Sequence, residues 1–141
     1  MYTPVSSRAA SAYRQVGVQS CVADASPHML IKMLFDGLMQ SLNAARGAMQ
    51  RGQVEEKGRH LGKAVRILEE GLKGGLNPAQ GGEIAANLRA LYDYCVQRLT
   101  LANLRNDVGL VEEVVELIVP VAQSWNEIGA NNGASNQGAG A

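Results

Sequence analysis

Residues 54–72, VEEKGRHLGKAVRILEEGL, carry the spacing that decides the fold. One set of mostly apolar side chains recurs there at intervals of four and three residues: Val54, Gly58, Leu61, Val65, Leu68 and Leu72. This spacing places the whole set on one stripe of an α-helix, which is typical of a helix that packs against nearly antiparallel neighbours. The sequence therefore predicts a helix over residues 53–73 with one buried face.

The rest of the chain contains three more segments with helical spacing. Ser26 and Pro27 open the first of them, because a serine oxygen caps a helix N-terminus and proline is tolerated in the first turn. Asn106 and Asp107 supply a cap before the last. The predicted helices span residues 27–50, 53–73, 83–104 and 107–128. Short connections between long helices favour an all-α fold, an antiparallel up-down four-helix bundle over residues 26–128.

The two ends of the chain lack a sustained hydrophobic period. Residues 1–25 are predicted to form a flexible or short-helical N-terminal cap segment, and residues 129–141, GANNGASNQGAGA, a disordered tail. Pro120 lies inside the fourth helix and removes the hydrogen bond to the carbonyl of Glu116, so a kink or a split helix is expected there. We expect neither a secretory signal peptide nor a membrane span.

Composition and motifs argue against several classes of protein. Thirteen basic and thirteen acidic side chains give no net charge, which disfavours a nucleic-acid binder. Neither His28 nor His60 has the Glu-x-x-His spacing of a di-iron bundle, and no catalytic constellation is recognisable. We therefore expect a protein that is not an enzyme and has no metal or cofactor. Gly58 and Gly62, four residues apart, are expected to permit a close approach between helices.

The predicted bundle has more apolar surface than one central core requires. Residues 27–50 are apolar over more than half of the helix circumference. On the third helix, Tyr92, Val96 and Asn103 flank the core stripe. Two interpretations stay open: residues 1–25 cover this surface, or an amphipathic helix of a partner lies in it. Both can hold, one after the other.

Several stretches of the sequence resemble the motifs of a known protein family. Residues 81–94, GGEIAANLRALYDY, followed by Leu99-x-x-Ala102-Asn103, closely resemble the signature of the flagellar export chaperone family, FliS. The same family pattern is followed by Ala12-Tyr13, by Ala25-Ser-Pro27 leading into the MLFDG of residues 33–37, and by Trp125. Pro120 departs from the pattern, which usually has a helix former at that position.

The resemblance implies a chaperone for flagellin in the bacterial cytosol. Such a protein binds the disordered C-terminal segment of flagellin, which folds into helices around the bundle. Binding prevents premature polymerisation and assists delivery to the flagellar type III export apparatus. The resemblance also implies that the N-terminal segment can occupy the client groove, and that the export gate and flagellar regulatory proteins are further partners. Uncovered apolar surface additionally predicts a weak homodimer.

Candidate groove residues lie on the first and third helices and in the N-terminal segment. They are Tyr13, Ile31, Leu34, Phe35, Leu38, Asn87, Leu88, Tyr92 and Asn103. A Leu34→Asp replacement is expected to abolish client binding and to leave the fold intact. Two alternatives remain: a four-helix adaptor for another regulatory partner, and an unrecognised enzyme, which would bind a metal or cofactor tightly.

Overall fold

The computed structural model describes residues 25–140, with the side chains of residues 25–129 except that of Pro78. The described chain is helical throughout, and the predicted all-α four-helix bundle is confirmed. The helices are α1 (Pro27–Gln50), α2 (Val54–Arg66), which continues as a π-helical segment (Ile67–Lys73), α3 (Pro78–Arg105) and α4 (Val108–Gly140). The predicted cap segment 1–25, apart from Ala25, lies outside the described residues.

Helix α1 begins and ends at the residues that the sequence indicates. The Ser26 hydroxyl accepts a hydrogen bond from the Met29 N–H at 3.1 Å, and Pro27 occupies the first turn. After the helix, Gly52 adopts a φ of 70°, a conformation that glycine reaches without strain. This turn lets the Gln53 N–H donate to the Ala48 carbonyl at 2.9 Å, which closes the helix end.

The ends of helix α3 are likewise set by capping and turn residues next to them in the sequence. Asn77 caps its first turn, and the backbone then breaks at Gly82, with φ 55° and ψ −125°. The regular part of α3 therefore starts after Gly82, where the predicted loop ends. At its far end Asn106 takes a left-handed conformation with φ 53°, and the Asp107 carboxylate accepts from the Gly109 N–H at 2.9 Å to start α4.

Packing arranges the helices around a square. Helix α1 contacts α2 and α4, and α3 contacts α4 and the π-helical segment, so α1 and α3 lie at diagonal corners. Neighbours run antiparallel: Trp125 late in α4 contacts His28 at the start of α1, and Glu113 early in α4 contacts Arg98 late in α3. Aliphatic side chains fill the centre: Leu34, Leu38, Leu42, Leu61, Leu68, Leu99, Val111, Val114 and Ile118.

The expected close approach at Gly58 and Gly62 is wrong. Apart from the chain neighbours and the nearby backbone of the same helix, no described heavy atom lies within 4 Å of a Cβ placed at either position. The close contact is instead at Gly71 in the π-helical segment, where an added Cβ would lie 2.9 Å from a methyl carbon of Leu34. A side chain at residue 71 would force the Leu34 methyl group, which packs on this backbone, to shift.

Two apolar positions at the starts of predicted helices are exposed, one on the stripe of residues 54–72 and one at the beginning of the helix predicted over residues 83–104. Val54 is 68% exposed and Ile84 is 71% exposed. Both stand in the first turn of a regular helix, at the ends of the bundle, where neighbouring helices do not cover them. The periodicity placed these residues correctly on their helix stripes and was wrong about their burial.

Helix α4 runs unbroken through Pro120, so the expected split does not occur. The side chains of Pro120 and Glu116 are both exposed. The Glu116 carbonyl, which loses its intrahelical donor, therefore faces solvent rather than the core, and the loss costs little. The helix continues to Gly140, through most of the segment 129–141. The disorder predicted for that tail stays a prediction.

Lys57 is buried, which the sequence did not indicate. Its ammonium group donates to the Asn103 carbonyl at 3.1 Å and to the Asn106 side-chain oxygen at 3.4 Å. A lysine from the start of α2 thus caps the C-terminus of α3. This position is favourable for a positive charge because unpaired carbonyls and the helix dipole meet there.

A Lys57→Met replacement tests this cap. Methionine retains the apolar stem but leaves the α3 carbonyl without its donor, so the free energy of unfolding should fall by about 1–3 kcal/mol. Urea denaturation measures the change. Lys63→Met, at an exposed position of the same helix, is the control and should stay within about 0.5 kcal/mol of wild type. Equal stabilities for the two variants would show that Lys57 is not a cap.

Candidate functional site

Four of the predicted groove residues are buried in the bundle interior. Leu34 and Leu38 are fully buried, and Phe35 and Tyr92 are 4% and 3% exposed. Burial also raises the pKa of the Tyr92 hydroxyl. In this structure the wide apolar face of α1 is used by the core, with Leu34 against Gly71. A Leu34→Asp replacement would place a carboxylate in that core, so the intact fold expected for it no longer follows.

The other predicted residues are accessible but do not form one surface. Ile31 and Leu88 are half-buried, and Asn87 and Asn103 are exposed. Ile31 belongs to α1, at the corner diagonal to α3. Asn87 and Asn103 are sixteen residues apart, which rotates them by about 160° on the helix. Tyr13 lies outside the described residues.

The two asparagines flank α3 on different sides. The Asn103 carbonyl contacts α2 through Lys57. Asn87 precedes Tyr94 and Arg98 by seven and eleven residues, so all three lie along one flank of the helix. Tyr94 and Arg98 both contact Glu113 of α4. Asn87 is therefore on the α4 side of α3.

On this side the facing flanks of α3 and α4 carry a set of accessible apolar side chains, which together we call the α3–α4 seam. From α3 it includes side chains spaced by four and three residues, and from α4 side chains that follow Glu113 on the same flank. All of them are half-buried or exposed. They are Ile84, Leu88, Leu91, Leu117, Val121 and Ile128.

A polar bridge between α3 and α4 closes one end of the seam, beyond Leu91 and Leu117; we call this the inner end. The Tyr94 hydroxyl donates to Glu113, and the Arg98 guanidinium donates to the other oxygen of the same carboxylate at 2.8 Å. Arg98 also lies 5.6 Å from the centre of the Tyr94 ring. The hydrogen bonds from Tyr94 and Arg98 hold the pKa of Glu113 below its usual value. The carboxylate stays ionised and ties the two helices together.

At the other end of the seam, an aromatic contact joins the start of α1 to α4. We call this the open end of the bundle. The imidazole of His28 stacks on the indole of Trp125 with 4.6 Å between ring centroids and 10° between planes. The indole N–H donates to the His28 carbonyl at 3.0 Å. Gly129 lies against the imidazole so closely that any side chain there would overlap the ring. This clasp holds the turn of α4 that carries Ile128 beside the start of α1.

The sequence contains a signal for the seam. On the fourth predicted helix, Leu117 and Val121 form a second apolar stripe beside that of Val111, Val114 and Ile118. On the third predicted helix, Leu91 is half-buried. On both α3 and α4 the apolar side chains thus cover more of the helix surface than one core requires. That the two surplus surfaces lie next to each other is visible only in the packed structure.

Two further kinds of feature are absent from the described part of the chain. None of its helices combines the length and apolar character needed to cross a membrane. Within the same residues, no three His, Cys, Asp or Glu side chains come together in a way that could hold a metal ion.

The His28–Trp125 clasp predicts a pH effect on stability. Burial lowers the pKa of His28 from its ordinary value, so folding favours the neutral ring. The corresponding stability is fully present above about pH 6.5, the unfolded pKa, and is lost as the pH falls through the lower folded value. Thermal melts should show wild type losing stability relative to His28→Phe between pH 7.5 and pH 5. A pH-independent difference between the two proteins would contradict this.

Comparison with known proteins agrees with the helical architecture. The family model described as flagellar protein FliS matches residues 9–132. The flagellar secretion chaperone FliS of Salmonella typhimurium is 51% identical over 117 residues, which cover 83% of this chain and 87% of the relative. The flagellar secretion chaperone FliSB of Pseudomonas aeruginosa is 44% identical over 121 residues, which cover 86% and 95%.

A more distant relative extends the similarity across bacteria. The flagellar secretion chaperone FliS of Bacillus subtilis is 33% identical over 109 residues, which cover 77% of this chain and 80% of the relative. The matched family region includes the α3–α4 seam, its closing bridge and the His28–Trp125 clasp. The chain therefore belongs to the FliS family of flagellar proteins.

Proposed function

We propose that this chain is a chaperone of the bacterial cytosol that binds the C-terminal segment of flagellin, prevents its premature polymerisation and assists its delivery to the flagellar type III export apparatus. Family membership supports a chaperone role in flagellar export, which is not enzymatic. The observation that carries the finer proposal is the α3–α4 seam, a set of accessible apolar side chains beside a closed core.

The seam has the dimensions of a helix-docking site. From Ile84 to Leu91 it spans seven residues, or about 10 Å of helix axis. An amphipathic helix places apolar side chains at positions i, i+4 and i+7, which is the spacing of Ile84, Leu88 and Leu91 themselves. The seam can therefore accommodate about two turns of a client helix, with the Glu113 bridge at its inner end.

The energetics favour a client that folds as it binds. A disordered segment loses conformational entropy on docking, and the burial of apolar side chains must offset this cost. Ile84 and Ile128, 71% and 49% exposed, offer apolar area that no described residue covers. The backbone of a client helix satisfies its own hydrogen bonds, so side-chain packing sets its register. Asn87 and Ser124, both exposed, provide polar contacts at the edge of the seam.

The proposal keeps some of the predicted groove residues and moves others. Asn87 and Leu88 belong to the seam. Ile31, on α1, and Asn103, on the α2 side of α3, are accessible elsewhere on the bundle, where a longer client could contact them. The export gate, flagellar regulators and a second copy of the chain are further partners within the same proposal, and each would compete for exposed apolar surface.

Ile84→Asp tests the seam directly. The side chain is largely exposed in the free protein, so the fold should remain intact. Calorimetric titration with the flagellin C-terminal segment should show at least about a tenfold loss of affinity, because a charge replaces a contact worth about 1.5–3 kcal/mol.

The matched control for this variant is Leu104→Asp. Leu104 is 80% exposed on the same helix but lies at the opposite end of the bundle. Its replacement should leave the affinity for the flagellin segment unchanged. An equal loss in both variants, or no loss in Ile84→Asp, would remove the seam from the proposal.

The N-terminal segment is proposed to compete with the client, with Tyr13 as its anchor. The segment joins α1 at Ala25, next to the clasp at the open end of the bundle, so it is tethered close to the seam. A chain that starts at Val22 should therefore bind the flagellin segment more tightly than the full chain in the same titration. A folded truncated chain with unchanged affinity would exclude competition.

A further inference from the structure

A second recess lies on the flank of α3 that faces away from the seam. It is a cleft of about 330 Å³ between the π-helical segment and the first regular turns of α3. The residues that decide its character are Glu69, Lys73, Leu76, Ala85, Ala86 and Arg89. We call this recess the π–α3 cleft.

Local sequence explains why the cleft is open. Gly82 turns the backbone with a positive φ, and apart from its chain neighbours and the nearby helix backbone no described heavy atom lies within 4 Å of a Cβ placed there. The adjoining side chains of Ala85 and Ala86 are small, and Leu76 provides an apolar surface opposite. The space left between them suits one bulky apolar side chain of a bound peptide, the kind of anchor that dominates peptide recognition.

The charges around the cleft are arranged asymmetrically. Lys73 is already engaged, because its ammonium group lies 2.6 Å from the carboxylate of Asp93. Glu69 on the π-helical wall and Arg89 on the α3 wall have no ion pair or hydrogen-bond partner of their own among the described side chains. Two uncommitted groups of opposite sign thus stand on opposite walls.

We propose that the π–α3 cleft is a second binding site, for a peptide segment whose bulky apolar residue enters the cleft with an acidic residue toward Arg89 and a basic residue toward Glu69. Arginine pairs with carboxylates in a directional, bidentate manner, so the charge order fixes the direction in which the segment crosses the cleft. The site is separate from the α3–α4 seam and does not depend on the identity of the client in the seam.

A designed probe tests the proposal without any flagellin sequence. The probe is a short, amidated alanine-based peptide with a central phenylalanine, a glutamate four residues before it and a lysine four residues after it. Amide chemical shifts of the full-length, ¹⁵N-labelled chain are followed during titration. Saturable shifts are expected at Ala85, Ala86 and Arg89, with a dissociation constant near or below about 1 mM. No saturable shift up to about 2 mM would overturn the proposal.

Two variants on exposed positions of α3 test the location of the site. Ala86→Trp fills the cleft and should abolish the saturable shifts. Ala90→Trp places the same bulk one turn further along, outside the cleft, and should leave binding unchanged. Retained binding in Ala86→Trp would place the peptide elsewhere and overturn the proposal.

Charge reversal tests the orientation. A second peptide with lysine before and glutamate after the phenylalanine should bind the wild-type chain at least about threefold more weakly. The double variant Glu69→Lys/Arg89→Glu should invert this preference. Both substitutions are at exposed positions, so this arm remains informative if Ala86→Trp fails to fold. Equal binding of both peptides to both proteins would overturn the assigned charges.

Discussion

The burial of the leucine stripe of α1 is the interaction on which the rest of the structure depends. Leu34, Leu38 and Leu42 are fully buried between α2 and α4, and Gly71 lets the π-helical segment approach α1 directly. Because α1 uses its wide apolar face in this way, α3 occupies the diagonal corner. The first turns of α3 are then left with two open flanks, the α3–α4 seam and the π–α3 cleft.

Two polar contacts fix the position of α3 relative to its neighbouring helices. Glu113 holds α3 and α4 together at the inner end of the seam through Tyr94 and Arg98. Lys57 secures the far end of α3 against α2. Polar contacts thus tie α3 to α2 and α4 near its C-terminus, whereas its first regular turns carry accessible apolar side chains such as Ile84 and Leu88. In the proposed function, a client helix docks on these turns without disturbing the core.

Helix boundaries were predictable because they depend on local chemistry. Ser26-Pro27 starts α1, and Asn106-Asp107 separates α3 from α4, as neighbouring residues alone dictate. The identity of the diagonal helices was not predictable, because it depends on how four stripes pack at once. For this reason Leu34, Phe35, Leu38 and Tyr92 were assigned to a groove, although the structure buries them. The close approach at Gly71 and the cap by Lys57 are likewise tertiary contacts without a local signature.

We propose that the α3–α4 seam receives the client helix. Methyl NMR of the full chain, with labelled Ile, Leu and Val side chains and titrated with the flagellin C-terminal segment, tests this docking most directly. Docking in the seam should give saturable shifts of the Ile84, Leu88 and Ile128 methyl groups and leave those of Val54 and Leu104, at the opposite end, unmoved. Shifts confined to Val54 and Leu104, with the seam methyl groups unchanged, would contradict it.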